Sequence, residues 1–260
     1  MSKVRIRDTF WLWGHPVNAC RNDIKPLRDM LVTPAECARY FGFPNVFYVP
    51  FGHEMDIEEY SKDLVGIEKS GISIEFWKDP AGNRMDETFK IASLFKNINR
   101  LVFDDFFNEA SLHNSTWGDY SIGQLLEIRE RIHAAGLEMW VVLYQHQLDL
   151  EIQEYLDVFD GVSFWFWSEP TKEEYHKYSK LFMDKTVGKR RLIGCYLYDF
   201  GRNQEATPDL VRYQLDQNKI LIHNGEIEGV ILHNNNFGDL GFSAYEEAKL
   251  WMDEHGDELV

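Results

Sequence analysis

The 260-residue sequence contains only three cysteines, Cys20, Cys37 and Cys195, and they lie far apart. An odd number of cysteines without metal-ligand spacing argues against a disulfide framework and against a cysteine-based zinc site. Long apolar runs are also absent. The N-terminus lacks the apolar core of a signal peptide, and no stretch reaches the roughly 20 apolar residues of a membrane span. We therefore expect a cytoplasmic protein with no membrane partner.

Basic residues are scarce. The chain has 27 Lys and Arg against 43 Asp and Glu, a formal net charge of −16, and its longest basic run is Lys189-Arg190-Arg191. A protein that binds nucleic acid usually needs a basic surface facing the phosphates. We therefore expect no nucleic-acid partner, and the acidity by itself indicates only a soluble surface. The oligomeric state stays open.

Motifs of nucleotide and serine-hydrolase chemistry are missing as well. The sequence has no Gly-x-Gly-x-x-Gly segment, no P-loop and no Gly-x-Ser-x-Gly elbow. These absences remove support for a nucleotide cofactor or a nucleophilic serine. We expect no cofactor.

Short apolar runs alternate with longer amphipathic stretches, which is typical of repeated βα units. Eight units in strict alternation, without a linker, predict an α/β fold, a single (β/α)8 TIM barrel that forms one domain over residues 1–260. The predicted strands are Asp8–Gly14, Val46–Phe51, Ser73–Trp77, Leu101–Phe106, Met139–Tyr144, Gly161–Trp167, Leu192–Tyr198 and Gly229–Asn234. The predicted helices are Pro34–Phe41, Ile57–Ile67, Glu87–Phe95, Ile122–Ala135, Leu150–Val158, Lys172–Met183, Pro208–Ile222 and Ala244–His255.

Alternation along the predicted strands separates inward from outward side chains. On the seventh strand it directs Gly194, Tyr196 and Tyr198 toward the barrel axis. On the sixth it directs Trp165 and Trp167 the same way. These aromatic side chains would then line the interior or the mouth of the barrel.

Ionisable residues concentrate where the predicted strands end, which is where barrels of this type carry their active sites. Asp104-Asp105 directly follows the apolar run Leu101-Val102-Phe103, and Glu169 follows the sixth strand beside Trp167. Two neighbouring carboxylates repel each other, so one of them holds a proton more readily and can act as a general acid. The alternative roles are backbone-amide binding for the aspartates and a rim salt bridge or helix cap for Glu169. Our predicted catalytic residues are Asp104, Asp105 and Glu169.

Aromatic and amide side chains accompany these acids at the same rim. A sugar ring has apolar C–H faces and many hydroxyls, so it is bound by aromatic rings beside carboxylates and amides. This combination predicts a carbohydrate substrate as the partner. The predicted substrate-binding residues are His15, His53, Tyr144, His146, Trp167, Tyr196, Tyr198 and Asn234.

The segment Phe103-Asp104-Asp105-Phe106 resembles the catalytic segment of O-GlcNAcase-like TIM-barrel glycoside hydrolases. That resemblance implies that Asp104 orients the acetamido group of the substrate and that Asp105 is the general acid/base. It also implies contacts from tyrosines and an asparagine at later strand ends. Their counterparts here would be Tyr196, Tyr198 and Asn234.

A second resemblance is to α-galactosidase-like barrels, which place a nucleophilic Asp on the fourth strand and an acid on the sixth. Asp104 or Asp105 with Glu169 fits that arrangement, although the second acid there is normally an Asp. The segment from Asp160 to Trp167 is also similar to uncharacterised bacterial barrel proteins. Together these resemblances imply a glycoside hydrolase.

Histidines at the strand ends support a rival hypothesis, a metal-dependent sugar isomerase or lyase. The His-x-His pair of amidohydrolase-like barrels is absent, and we expect no metal. A third hypothesis is a barrel that binds carbohydrate without catalysis. The residues behind the metal hypothesis are His15, His53, His146 and His233, with Glu54 and Glu169 nearby.

Overall fold

A computed structural model describes residues 3–20, 24, 29–50, 56–75, 83–108, 112–113, 116–118 and 120–260. His53 and Glu54, which belong to the predicted rim, lie outside the described residues. No helix among the described residues is long and apolar enough to cross a membrane.

Eight parallel strands close into a barrel, because the first strand pairs with the last as well as with the second. This architecture confirms the predicted (β/α)8 fold, and its assignment to one domain over residues 1–260 stays a prediction. The strands are β1 (Phe10–Gly14), β2 (Asn45–Tyr48), β3 (Lys69–Glu75), β4 (Ile98–Asp104), β5 (Glu138–Tyr144), β6 (Gly161–Trp165), β7 (Arg190–Tyr196) and β8 (Gly229–His233). The helices are α1 (Pro34–Phe41), α2 (Ile57–Asp63), α3 (Asn83–Leu94), α4 (Ile122–Ala134), α5 (Gln153–Leu156), α6 (Lys172–Lys185), α7 (Pro208–His223) and α8 (Ser243–His255).

Local sequence sets several helix starts through capping boxes. At α1 the Thr33 hydroxyl accepts from the Glu36 N–H at 3.2 Å, while the Glu36 carboxylate accepts from the Thr33 N–H at 2.9 Å. Two backbone donors that would otherwise lack a helical partner are thereby satisfied. Thr171 and Glu174 form the same arrangement at the start of α6.

The barrel interior is packed with large aromatic side chains that face glycines on neighbouring strands. A Cβ on Gly194 would lie 2.0 Å from the Trp165 ring, and one on Gly161 would lie 2.5 Å from the Trp140 ring. Trp165 and Tyr196 pack in this inner cluster, as the alternation predicted. The pairing of the largest residues with the smallest fills the barrel without a pore.

The predicted inward direction of Tyr198 is wrong. Strand β7 ends at Tyr196, and Tyr198 belongs to a short antiparallel sheet in the following loop, so the alternation of the strand no longer applies. The Tyr198 ring stacks on Phe242 at 6.0 Å, and its hydroxyl donates to Asn203 Oδ1 at 2.6 Å. Tyr198 is therefore a buried packing residue outside the barrel interior.

An ion network closes the barrel at the amino ends of the strands. Arg100 is 2% exposed and lies between the rings of Trp11 and Trp140, 4.4 and 4.2 Å from their centroids. Its guanidinium pairs with Glu138 at 3.1 Å and with Glu228 at 3.2 Å. Burial lowers the pKa of Arg100 to about 10, against the opposing effect of the two carboxylates. The carboxyl ends of the strands therefore remain as the open face.

Candidate active site

The two aspartates lie at the carboxyl end of β4. Asp104 is the last residue of the strand and has the same parity as Arg100 and Val102, whose side chains lie inside the barrel. Asp105 follows with a φ of +53°, a left-handed conformation that is uncommon for a residue other than glycine. Such backbone outliers concentrate at functional sites, where the surrounding structure maintains them.

Two tyrosines, the buried Tyr144 and the partly buried Tyr196, lie near these carboxylates. The Tyr144 hydroxyl donates to Asp105 Oδ1 at 3.2 Å, and the Tyr196 hydroxyl lies close to the Tyr144 hydroxyl. Burial first, and then the nearby acidic groups including Asp104, raise the pKa of both tyrosines well above the usual range. Both tyrosines therefore stay protonated and act as hydrogen-bond donors.

A cavity of about 400 Å³ opens beside Asp105 and Tyr144. The His146 ring stacks parallel to Tyr144 at 5.5 Å, and Trp167 meets the Tyr144 ring edge-on at 5.9 Å. Trp167 is 44% exposed, so its indole is available to a molecule in the cavity. The structure thus brings four predicted site residues around one space. The full lining is Asp105, Phe107, Asn108, Tyr144, His146, Gln147, Leu150 and Trp167.

Four of these lining residues were not predicted from the sequence: Phe107, Asn108, Gln147 and Leu150. Gln147 also supports the wall, because its amide accepts from the Tyr144 N–H at 2.9 Å and donates to the Phe107 carbonyl at 3.1 Å. Each of the four follows a strand end within a few residues. Their position in the βα loops was the signal that could have identified them.

Two further predicted residues, His15 and His233, are buried beside this cluster and bond to each other. Their Nε2 atoms are 3.2 Å apart, and the His233 ring packs on Tyr196 at 4.7 Å. Burial, and then His15, lower the pKa of His233 well below its usual range. Among the described residues there is no group of three or more His, Cys, Asp or Glu that could hold a metal ion.

Asn234 is buried, and its amide bonds within the protein. Its Oδ1 accepts from the Asn236 N–H at 2.7 Å, and its Nδ2 lies 3.0 Å from His233 Nδ1 and 3.6 Å from Cys20 Sγ. The adjacent Asn235 binds the loop after β1, accepting from the His15 N–H at 2.7 Å. These amides connect β8 to the loop after β1 and do not line the cavity.

Glu169 holds the start of α7. Its two carboxylate oxygens accept from the Thr207 N–H at 2.6 Å and from the Thr207 hydroxyl at 2.8 Å. The structure therefore gives Glu169 a capping contact, one of the alternatives considered from the sequence, and does not place it in the lining of the cavity beside Asp105.

No protein-family model matches this chain, and no curated protein matches it in sequence. Its fold is similar to solved structures of the tryptophan synthase alpha subunit of Pyrococcus furiosus. One covers 96% of this chain and 98% of its own, at 9% identity and a TM-score of 0.57. The structure of the E244A mutant covers 96% of this chain and 97% of its own, at 9% identity and a TM-score of 0.54. At this level of identity the likeness establishes the barrel fold.

The expected family is wrong, because the similar solved structures named above are tryptophan synthase alpha subunits and not glycoside hydrolases. The same finding overturns the predicted glycosidase activity and carbohydrate substrate. It also overturns the two alternatives, a metal-dependent sugar isomerase or lyase and a barrel that binds carbohydrate without catalysis. The structure also places three residues of the glycoside hydrolase prediction in other roles. Tyr198 and Asn234 bond within the protein, and Glu169 caps a helix, so the two resemblances lose their accessory residues.

Proposed function

We propose that the protein is an acid–base enzyme in which Asp105 removes a proton from a small organic molecule bound in the cavity. The observation that carries this proposal is the Tyr144–Asp105 hydrogen bond of 3.2 Å in the cavity wall. A general base must lie within hydrogen-bond reach of the proton that it takes. Among the described residues that line the cavity, Asp105 is the one carboxylate.

The tyrosines supply the complementary acid function. When Asp105 accepts the substrate proton, electron density moves to an oxygen of the substrate, and a nearby O–H stabilises that negative charge. Tyr144 remains protonated because its pKa is raised. Once Asp105 has taken the substrate proton, the Tyr144 O–H turns from Asp105 to the substrate oxygen. Depending on whether a group then leaves, this chemistry is an elimination or a tautomerisation. The proposed reaction class is therefore a lyase or an isomerase.

The lining also supports a substrate class. A space of about 400 Å³ suits a small molecule, and Trp167, Phe107 and Leu150 give it apolar walls. No Lys or Arg is among the described residues of the lining, whereas Asp105 is. An anionic substrate would face a carboxylate without a counter-charge in this wall, so we propose a neutral or cationic substrate with a flat apolar portion.

Deuterium exchange tests the proposal directly. The protein is incubated in D2O with a panel of small aryl ketones, amino ketones and hydroxy ketones, and exchange at the carbon next to the carbonyl is followed by NMR. We expect Asp105→Asn to slow exchange about 10²–10⁴-fold and Tyr144→Phe about 10²-fold. Tyr213→Phe is the matched control, because that hydroxyl bonds to His176 on the exposed side of α6 and α7. Exchange that survives in Asp105→Asn, or is absent for the whole panel, would contradict the proposal.

We also propose a reducing, cytoplasmic setting. Cys20, Cys37 and Cys195 are all buried, and none of the three forms a disulfide. Burial raises the pKa of Cys37 and of Cys195 to about 12, so both persist as thiols, which are inert compared with thiolates.

A further inference from the structure

The buried pair His15 and His233 has a proton arrangement that follows from its hydrogen bonds. His15 Nδ1 lies 2.9 Å from the Val49 carbonyl, which can only accept, so this nitrogen carries a proton. With that proton on Nδ1, the Nε2 of a neutral His15 can only accept, so His233 Nε2, which faces it at 3.2 Å, carries the His233 proton. Asn234 Oδ1 accepts from a backbone N–H at 2.7 Å, so its Nδ2 is a donor, and that Nδ2 lies 3.0 Å from His233 Nδ1 and 3.4 Å from His233 Nε2.

The contact between the two rings is consistent with this assignment. His233 Nε2–H donates to the bare Nε2 of His15 across 3.2 Å. The hydrogen bonds therefore run in one direction, from Asn234 through His233 and His15 to the Val49 carbonyl. Each imidazole carries one proton, and a second proton on His15 would direct two N–H groups at each other.

This chain of hydrogen bonds determines the orientation of the His233 ring, against which Tyr196 packs. Tyr196 lies between His233, at 4.7 Å, and Trp165, at 4.9 Å, with Phe200 at 5.0 Å. Its hydroxyl reaches Tyr144, which bonds to Asp105. A rotation of the His233 ring would therefore displace the Tyr196 hydroxyl from Tyr144.

We infer that His233, held in a single tautomer by His15 and Asn234, is a positioning residue that aligns Tyr196 with Tyr144 and Asp105. The expected effect on turnover rests on the proposed function, whereas the predicted tautomers of His15 and His233 are independent of it. Among the described residues, the titratable groups beside His233 are His15 on the segment after β1, Cys20 in the same loop through Asn234, and Tyr196 on β7.

Long-range ¹H–¹⁵N NMR of protein labelled at histidine measures the tautomers. We expect the Nδ1–H form for His15 and the Nε2–H form for His233, with the His233 form unchanged as the pH falls from 8 to about 5.5, below the usual histidine pKa. The exposed His223 serves as the internal reference. A charged His233 ring, or the opposite tautomer at either residue, would overturn the inference even if proton exchange is observed.

Variants test the positioning role. We expect His233→Phe to lower kcat for exchange about 10²-fold with KM little changed, because a small displacement of a catalytic group costs that much while the cavity lining is intact. His233→Gln keeps a donor toward His15 and should recover most of kcat, and His223→Gln is the matched control. Trp167→Ala should raise KM instead. Equal kcat values in His233→Phe and in the wild-type protein would contradict the positioning role. So would a loss of kcat in His233→Gln as large as the loss in His233→Phe. If the wild-type protein shows no exchange, the proposed function is contradicted. The NMR measurement of the His15 and His233 tautomers then still tests this inference.

Discussion

At the scale of single residues, Gly194 shows how one missing side chain makes room for the barrel core. The Trp165 ring occupies the place of its Cβ, at 2.0 Å, and Trp165 in turn supports Tyr196. The absence of a Cβ at Gly194 on β7 thereby determines where an indole lies and, through it, where a proposed functional hydroxyl lies.

Replacing Gly194 with Ala should reduce the free energy of unfolding by about 1–3 kcal/mol, because an added methyl group in a packed core forces neighbours to shift. Gly123 is the control, since it is exposed within α4 and has no close neighbour. Gly123→Ala should raise the free energy of unfolding by about 0.5–1 kcal/mol through helix propensity. Urea unfolding of the three proteins checks both values. Equal stability of Gly194→Ala and wild type would show that Trp165 adapts freely.

At the scale of elements, α7 depends on a residue from another part of the chain. Thr207, the residue before this helix, has no side-chain cap of its own. Glu169, from the loop after β6, accepts from the Thr207 N–H and hydroxyl. It performs the role that the third residue of a helix has in a capping box, but from a position 38 residues away in the sequence.

Glu169→Gln should therefore lower the free energy of unfolding by about 1 kcal/mol, as for the loss of a helix cap, and leave proton exchange and KM unchanged. Thermal and urea unfolding give the first quantity, and the exchange assay gives the others. The exposed Glu151→Gln is the control and should change stability by less than about 0.5 kcal/mol. If Glu169→Gln abolished exchange at unchanged stability, Glu169 would belong to the active site.

At the scale of the whole molecule, the two ends of the barrel have different tasks. Arg100, Glu138 and Glu228 close the end where the strands begin, and Arg190 pairs with both carboxylates. The proposed chemistry lies at the other end. In barrels of this type the amino-terminal end contributes stability and the carboxyl-terminal end contributes function.

Arg100→Ala should lower the free energy of unfolding by about 3–5 kcal/mol, because removing one partner from a buried ion network is costly. The folded fraction should retain wild-type kcat, since Arg100 lies at the end of the barrel away from Asp105. Arg131→Ala is the control, an exposed arginine paired with Asp86, and should cost less than about 1 kcal/mol. A loss of kcat in folded Arg100→Ala protein would contradict the separation of the two ends.

The sequence by itself determined the barrel, the starts of most helices, and the rim at which ionisable residues gather. Those features depend on local periodicity and on caps such as Thr33 with Glu36, whose partners are three residues apart. The direction of Trp165 and Tyr196 also followed from strand alternation, because both lie within regular strands. A motif as short as Phe103–Phe106, however, indicated the wrong family, because one fold supports many chemistries.

Only the tertiary structure decided which of the gathered side chains face the cavity. Asp105 and Glu169 both follow predicted strands in the sequence. In the structure Asp105 lines the cavity, whereas Glu169 bonds to Thr207. Tyr198 left the barrel because its strand ended two residues earlier, and Asn234 turned to Asn236 and His233. The physical reason is that a polar side chain satisfies its hydrogen bonds with whichever partner the fold brings within about 3 Å. In these cases the partners come from turns and distant segments that strand and helix periodicity does not specify.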